Sequence, residues 1–317
     1  MSKPLANKVA LVAGATRGAG RGIAHMLGEA GAIVYCSGRS SRTQPNTTNH
    51  HYAGRPETIE ETAELVTRAG GTGIPVRTDH LVEAEVAALM SRIEKEQGRL
   101  DILVNVLTGS PVTEWSSFLD LNLEAGRAYY DGWIWSHITT SWHAAKLMSR
   151  KKSGLIVEIV EQETIGYHGQ FYLDQIEIGM KRLSHALAHE LKPAGITSVS
   201  VAPGFMRTEA ILEQFGVKED NWRDALEKPE PKQFGWGGSE TPCYVGRGIA
   251  ALAADPNIMS KSGGLYSIRQ LAEEYGFNDV NGLRPDIGVL DDAIKAFMSG
   301  RPAGPEFEWK LAKLSGK

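Results

Sequence analysis

Short apolar, β-branched runs recur along the chain at Val9 to Val12, Ala32 to Cys36, Ile74 to Val76, Asp101 to Asn105, Leu155 to Val160, Ile196 to Val201 and Leu265 to Ile268. Between them lie stretches whose apolar positions repeat at helical spacing: Gly18 to Glu29, Glu57 to Ala69, Glu83 to Gln97 and Asp174 to Lys192. Strand and helix periods alternating in this way predict a parallel sheet of about seven strands with helices on both faces, a three-layer α/β architecture. Right-handed crossovers leave few topologies open to it.

Two segments interrupt the rhythm. Residues 40–56 are polar and turn-rich and read as a surface loop after the second strand, in which His50 and His51 have no third ligand at useful spacing for a metal. Residues 205–242 set Phe205, Met206, Phe215, Trp222, Phe234 and Trp236 among Gly and Pro after the sixth strand, the composition of a substrate lid. The domain is expected to run over 1–268 including that lid, followed by an extension over 269–317 that is less ordered toward Lys317.

The first strand runs into Gly14-Ala15-Thr16-Arg17-Gly18-Ala19-Gly20 and then into a helix. Glycines there allow a tight turn and close approach of backbone to a pyrophosphate, while the helix N-terminus offers N–H donors and a favourable dipole. A side chain at Gly14 is expected to block the pyrophosphate in a protein that still folds. The second strand ends in Gly38-Arg39 with no acid where an NAD site places one against the ribose, so Arg39 and Arg17 are expected to meet a 2′-phosphate, and NADP(H) is the expected cofactor.

This loop resembles the T-G-x-x-x-G-x-G pattern of the short-chain dehydrogenase/reductase family, with Ala13 in place of the Thr. Further marks of that family follow in order: Asp79 after the third strand, Gly98 to Asn105 leading through the fourth, and Pro203-Gly204 with Thr208 after the sixth. The resemblance covers residues 5–268 and implies a doubly wound Rossmann-type fold. It also implies cofactor contacts from Gly14, Thr16, Arg17, Gly18, Gly20, Arg39, Asp79, His80, Asn105, Pro203, Gly204 and Thr208, with Asp79 at the adenine edge and Asn105 on the nicotinamide side. A dimer or tetramer built through the fourth and fifth helices is implied as well. Where the family pattern has N-N-A-G, the chain has Asn105-Val106-Leu107-Thr108, whose bulk narrows the space beside the cofactor ribose.

The family's chemistry rests on Asn, Ser, Tyr and a Lys four residues after the Tyr, the Lys lowering the Tyr pKa by its positive charge. Counting forward from Gly154-Leu155-Ile156-Val157 and back from Ala188-His189-Glu190-Leu191 puts the Ser position at Val160 or Glu161, the Tyr at Leu173, the Lys at Glu177 and the Asn at Trp133. Tyr172 lies one residue from the expected tyrosine. Carboxylates gather there instead: Glu158, Glu161, Glu163, Asp174 and Glu177, with Tyr167 and His168 close by. Strand alternation sets Glu161 and Glu163 on one face and Glu158 on the other. Asp174 reads as a helix-start residue. Glu161 and Glu177 are expected in the pocket, and with Tyr172 and His168 they form the candidate catalytic set.

A formal net charge of -4 and only two cysteines in 317 residues give no basic face for nucleic acid, no disulfide framework and no CxxC pair. With no apolar leader and no run of membrane-span length, the reading is a cytoplasmic protein that acts on a small molecule without nucleic acid, membrane or metal. Three functions stay open at this level. The first is an NADPH-dependent reductase of an imine, iminium or carbonyl compound. The second is a non-redox isomerase, cyclase or lyase using Glu161 or His168 as base, and the third is a nucleotide-binding protein without turnover.

Overall fold

The computed structural model of the chain describes residues 3–45, 54–108, 116–161, 170–229 and 235–285. Seven parallel strands form one sheet in the order β3-β2-β1-β4-β5-β6-β7: β1 (Val9–Ala13), β2 (Ile33–Gly38), β3 (Thr72–Arg77), β4 (Ile102–Asn105), β5 (Gly154–Ile159), β6 (Ile196–Ala202) and β7 (Leu265–Ser267). The order reverses between β1 and β4, and an open sheet of this kind binds ligands in the crevice beyond the carboxyl ends of those strands. Strand residues such as Leu11, Val12, Val104 and Val157 are fully buried, as expected for a sheet covered on both faces.

One layer holds α1 (Gly18–Glu29), α2 (Ile59–Arg68), α8 (Pro242–Ala254) and α9 (Ile268–Tyr275). The other holds α3 (Glu83–Gln97), α4 (Leu123–Tyr130), α5 (Ser136–Ser149) and α6 (Phe171–Leu191), and the short α7 (Glu209–Gln214) follows β6. Helices α1 and α8 touch backbone to backbone: a Cβ on Gly22 would lie 2.1 Å from the Pro242 carbonyl oxygen. A five-residue π-turn, Asp131–Trp135, joins α4 to α5 and carries Trp133. Such an insertion re-aims the side chains on either side of it.

Helix α6 begins at Phe171, so Asp174 stands inside its first turn and not at its start, and its N–H bonds the Gln170 carbonyl at 3.0 Å. The expected boundary at 268 falls at the first residue of α9. A capping box of Ser267 and Gln270 begins that helix, and Ile268, Leu271 and Ala272 enter the main core. The aromatics expected to line a lid largely pack on one another: Phe215, Trp222 and Trp236 are buried in a small core of their own, with Phe205 against it. Their rings meet edge to face at centroid distances of 4.9 to 6.0 Å. Arg207, 2% exposed, closes that unit from below with a two-toothed pair to Glu219 and a cation–π contact to Trp222. Among the described residues no helix is long and apolar enough to cross a membrane, and no group of three or more His, Cys, Asp or Glu could hold a metal ion.

Candidate active site

The glycine loop sits where β1 meets α1, at the reversal of strand order. Gly14 has φ of +93°, and a Cβ there would stand 2.5 Å from the carbonyl oxygen of Val106 at the exit of β4. The expectation of a folded but nucleotide-blind Gly14→Val variant is therefore corrected. A side chain at 14 collides with the sheet's own backbone before it meets any ligand, and a positive φ adds about 1 to 2 kcal/mol for a residue with a Cβ. Gly14→Val should lose cooperative thermal unfolding or melt far below the wild type; a wild-type melting curve would restore the first expectation.

The other residues expected to meet a nucleotide divide by what they already touch. Arg39 is half-buried and makes no ion pair among the described residues. Arg17 is held: its Nε lies 3.2 Å from Glu57 Oε2, and Arg55 grips the same carboxylate at 2.6 Å. Glu57 is 6% exposed, and despite its burial the two guanidinia keep its carboxyl below the usual carboxylate range. An acid thus does stand beside Arg17, delivered from the start of α2 and not from the end of β2, where sequence reasoning looked for it.

His80 is buried, with Nε2 2.9 Å from Ser37 Oγ and Nδ1 2.9 Å from Thr140 Oγ1. Desolvation first, then the charges of His137 and Arg39, push its pKa down to about 3, so it is a neutral brace between β2 and α5. Asp79 forms an Asx turn by accepting from Leu81 N at 3.0 Å. Thr16 is buried under Gly38, and Thr208 caps α7 by accepting from Ile211 N. Pro203 and Gly204 follow β6 at the rim, both half-buried.

Asn105 is fully buried, and its amide donates to Ser141 Oγ at 2.9 Å and Glu158 Oε1 at 3.0 Å. Glu158 also accepts from Ser141 and lies 2.5 Å from His137 Nδ1. His137 Nε2 donates to the Leu107 carbonyl at 2.8 Å, so the ring is held between that carbonyl and Glu158. The network pins the backbone at Leu107, beside the expected cofactor ribose, from inside the protein. Sequence reasoning had set Glu158 apart by strand alternation but missed His137, whose only signal was a polar residue on a helix that packs against β4 and β5.

At the expected catalytic positions, Glu161 follows β5 and Glu177 lies in the second turn of α6, and the two meet: Glu161 N–H donates to Glu177 Oε2 at 3.1 Å. Lys181, on the next turn of α6, brings Nζ to 3.5 Å from the same oxygen. Glu177 is 5% exposed. Glu161 is exposed at the mouth of the cleft, and no described residue donates to its carboxylate. The protein crowded around it, and second the Glu177 charge, push its carboxyl up from 4.5 to about 7, against the pull of Lys181; water at the exposed edge tempers that push.

Tyr172 does not join these acids. It is buried among Tyr129, Trp133 and Met180, and its hydroxyl donates to the Asn122 carbonyl at 3.0 Å, so it ties α6 to α4. His168 lies outside the described residues, as do Glu163, Tyr167, His50 and His51. Sequence reasoning also passed over Glu240. It is fully buried, neither carboxyl oxygen makes a well-formed hydrogen bond, and Oε2 would lie 2.6 Å from a Cβ at Gly204. Desolvation, with the Asp279 charge second among the raising causes, pushes its pKa up to about 8, against the Gly204 backbone and Arg207.

Comparison with known proteins agrees with this layout. The family profile of the short chain dehydrogenases matches residues 8–215. Dehydrogenase/reductase SDR family member 1 of Mus musculus is 33% identical over 295 residues, covering 89% of this chain and 86% of that protein. A 3-oxoacyl-[acyl-carrier-protein] reductase of Staphylococcus aureus (strain Mu50) is 29% identical over 65% of this chain and 79% of its own length. Among solved structures, a short chain dehydrogenase of Mycobacterium thermoresistibile superposes with a TM-score of 0.70 at 20% identity, covering 89% of this chain and 94% of that one.

Proposed function

Because the chain belongs to the short-chain dehydrogenase/reductase family, we propose that it is an NADPH-dependent oxidoreductase whose reacting centre is built on carboxyl groups and which reduces a small-molecule carbonyl or imine. The observation that carries this reading is the pair Glu161 and Glu177, joined at 3.1 Å at the carboxyl ends of the strands, with Lys181 behind them. When bound, NADPH supplies the hydride. The residues present fit it: a glycine loop pressed against the exit of β4, a first turn of α1 with no acid of its own in the turn, and Arg39 at the end of β2 for a 2′-phosphate.

The chain's own part is charge and proton management. Glu177 is fixed by the Glu161 N–H and by Lys181, and after burial its charge is the second cause that holds the neighbouring Glu161 near the point where it exchanges a proton around neutral pH. A protonated Glu161 gives its proton to the oxygen of a carbonyl as that oxygen gains charge. An ionised Glu161 pairs instead with a cationic C=N–H⁺ group and raises its population. Tyr172 supplies neither function, since its hydroxyl is spent on Asn122.

Testing needs a panel of aldehydes, ketones and cyclic imines with NADPH oxidation followed by absorbance and products identified. Reduced product from at least one class is expected. Product formed with no change in NADPH would favour the non-redox reading, and no product at all the binding-protein reading. With Arg17 tied to Glu57, the 2′-phosphate rests mainly on Arg39. NADPH should therefore bind about tenfold tighter than NADH, a charge-assisted pair being worth about 1.5 to 3 kcal/mol, and Arg39→Ala should erase the difference. Equal affinities in the wild type by titration calorimetry would contradict this.

A further inference from the structure

We propose that Glu209 is an internal competitor for the pyrophosphate of the dinucleotide: its carboxylate, carried on α7, sits on the first turn of α1, and cofactor entry must displace it. The proposal rests on the reading that the glycine loop binds a dinucleotide, and it adds what holds that loop beforehand.

The first turn of α1 has no anion of its own. Its N-cap, Arg17, makes no side-chain capping bond, and no acidic residue falls in the turn. Unsatisfied amides and the helix dipole concentrate positive potential there, which is why such turns receive phosphates. Into this position comes a carboxylate from 191 residues away: Glu209 Oε2 accepts from Gly18 N at 2.8 Å, and its other oxygen lies 3.9 Å from Arg21 Nε. The contact is not incidental to one side chain, because α7 is fastened a second time on the same rim by Arg55 Nη1 to Glu213 Oε2 at 2.7 Å. Arg55 also holds Glu57, the partner of Arg17. A single charged chain thus links the glycine loop, the start of α2 and α7.

A pyrophosphate oxygen and the Glu209 carboxylate cannot share the Gly18 N–H, and two anions this close would repel each other. Binding therefore costs the loss of the Glu209 contact and loosens the start of α7, which stays tied to this rim through Arg55 and Glu213.

The test compares wild type, Glu209→Gln and Glu209→Ala by titration calorimetry with four probes: ADP, 2′-AMP, NADPH and NADH. Hydrogen exchange of residues 209–214 is followed with and without ADP, and thermal melting confirms that each variant is folded. Glu209→Ala should bind ADP, NADPH and NADH tighter by a common factor of about ten, Glu209→Gln by a smaller one, and 2′-AMP, which lacks a pyrophosphate, unchanged. In the wild type ADP should speed exchange at 209–214. ADP affinity unchanged or weakened in both variants, or exchange at 209–214 slowed by ADP, would overturn the proposal. Failure of ADP to bind any of the three proteins would overturn it together with the dinucleotide reading. Equal NADPH and NADH affinities with the common tightening intact would leave the competitor in place and remove only the 2′-phosphate preference.

Discussion

Replacing Glu161 by Gln is expected to lower turnover about a hundredfold or more while leaving NADPH affinity within about twofold. A group that moves a proton in the reaction contributes that much, and the amide keeps the shape of the side chain but cannot exchange the proton or carry the charge. Glu177→Gln should also slow turnover, through Glu161: with the neighbouring charge gone, the second cause that raises the Glu161 pKa is removed and Lys181 is left to act on Glu161 alone. Its signature is a shift of the pH dependence to lower pH with maximal turnover partly kept, which a purely structural role would not produce. Steady-state kinetics on the first substrate identified by the panel, with calorimetric NADPH titration alongside, measures both effects. Full activity in the double variant would make the two acids bystanders.

The second large effect concerns stability. Glu240 has its carboxyl raised to about 8 in the folded protein from an ordinary 4.5, chiefly by desolvation. The folded state then holds a proton that the unfolded state has released, so stability falls as pH rises from about 4.5 to about 8 and levels off above. The size follows from the shift, about 3 to 5 kcal/mol over the whole window as an order of magnitude. The Glu240→Gln variant stays neutral throughout. It should match the wild type near pH 5 and exceed it by a few kcal/mol at pH 9 in denaturant titrations monitored by circular dichroism.

The consequence would reach the cleft. Glu240 N donates to the Phe205 carbonyl and Arg207 N to the Glu240 carbonyl, both at 2.8 Å, so this residue clasps the two ends of the 205–242 segment beneath Gly204. The charged and titratable groups around it are Arg207, Asp279 and Tyr244, and of these only Arg207 favours ionisation. A wild-type stability that does not fall between pH 5 and 9 relative to Glu240→Gln would show that the carboxyl finds a partner in solution.

Much of the fold is legible in the sequence because its signals are local. The bounds of α1 and α3 follow from periodicity, with Gly98 in the left-handed conformation ending α3, and the seven strands from β-branched runs in a sheet buried on both faces. The start of α6 is less clear, because Asp174 offers a capping signal while the helix begins at Phe171 with no side-chain cap. The pairing of the site's charges is the part that spacing hides. Arg17 and Glu57 are 40 residues apart, His137 and Glu158 21, and Gly18 and Glu209 191. Each pair is joined only by the crossing of elements at the sheet edge. Arg17 is the plainest case: its place in the glycine loop invites a 2′-phosphate, and the tertiary fold gives it a carboxylate. Glu161 and Glu177, in contrast, come together because a strand end and the helix after it are neighbours in any βα unit, and counting along the chain suffices to find them.

The pH dependence of kcat/KM, compared between wild type and Glu161→Gln on the same substrate, bears most directly on whether Glu161 is the group that meets the substrate. For a carbonyl substrate the wild-type rate should fall as pH rises through an inflection between 4.5 and about 7, as the proton is lost; for an imine it should rise through the same window, as the carboxylate forms. In either case Glu161→Gln should show a lower rate and no inflection in that window. The same inflection at the same pH in Glu161→Gln would place the titrating group elsewhere and contradict a carboxyl-based reacting centre at this position.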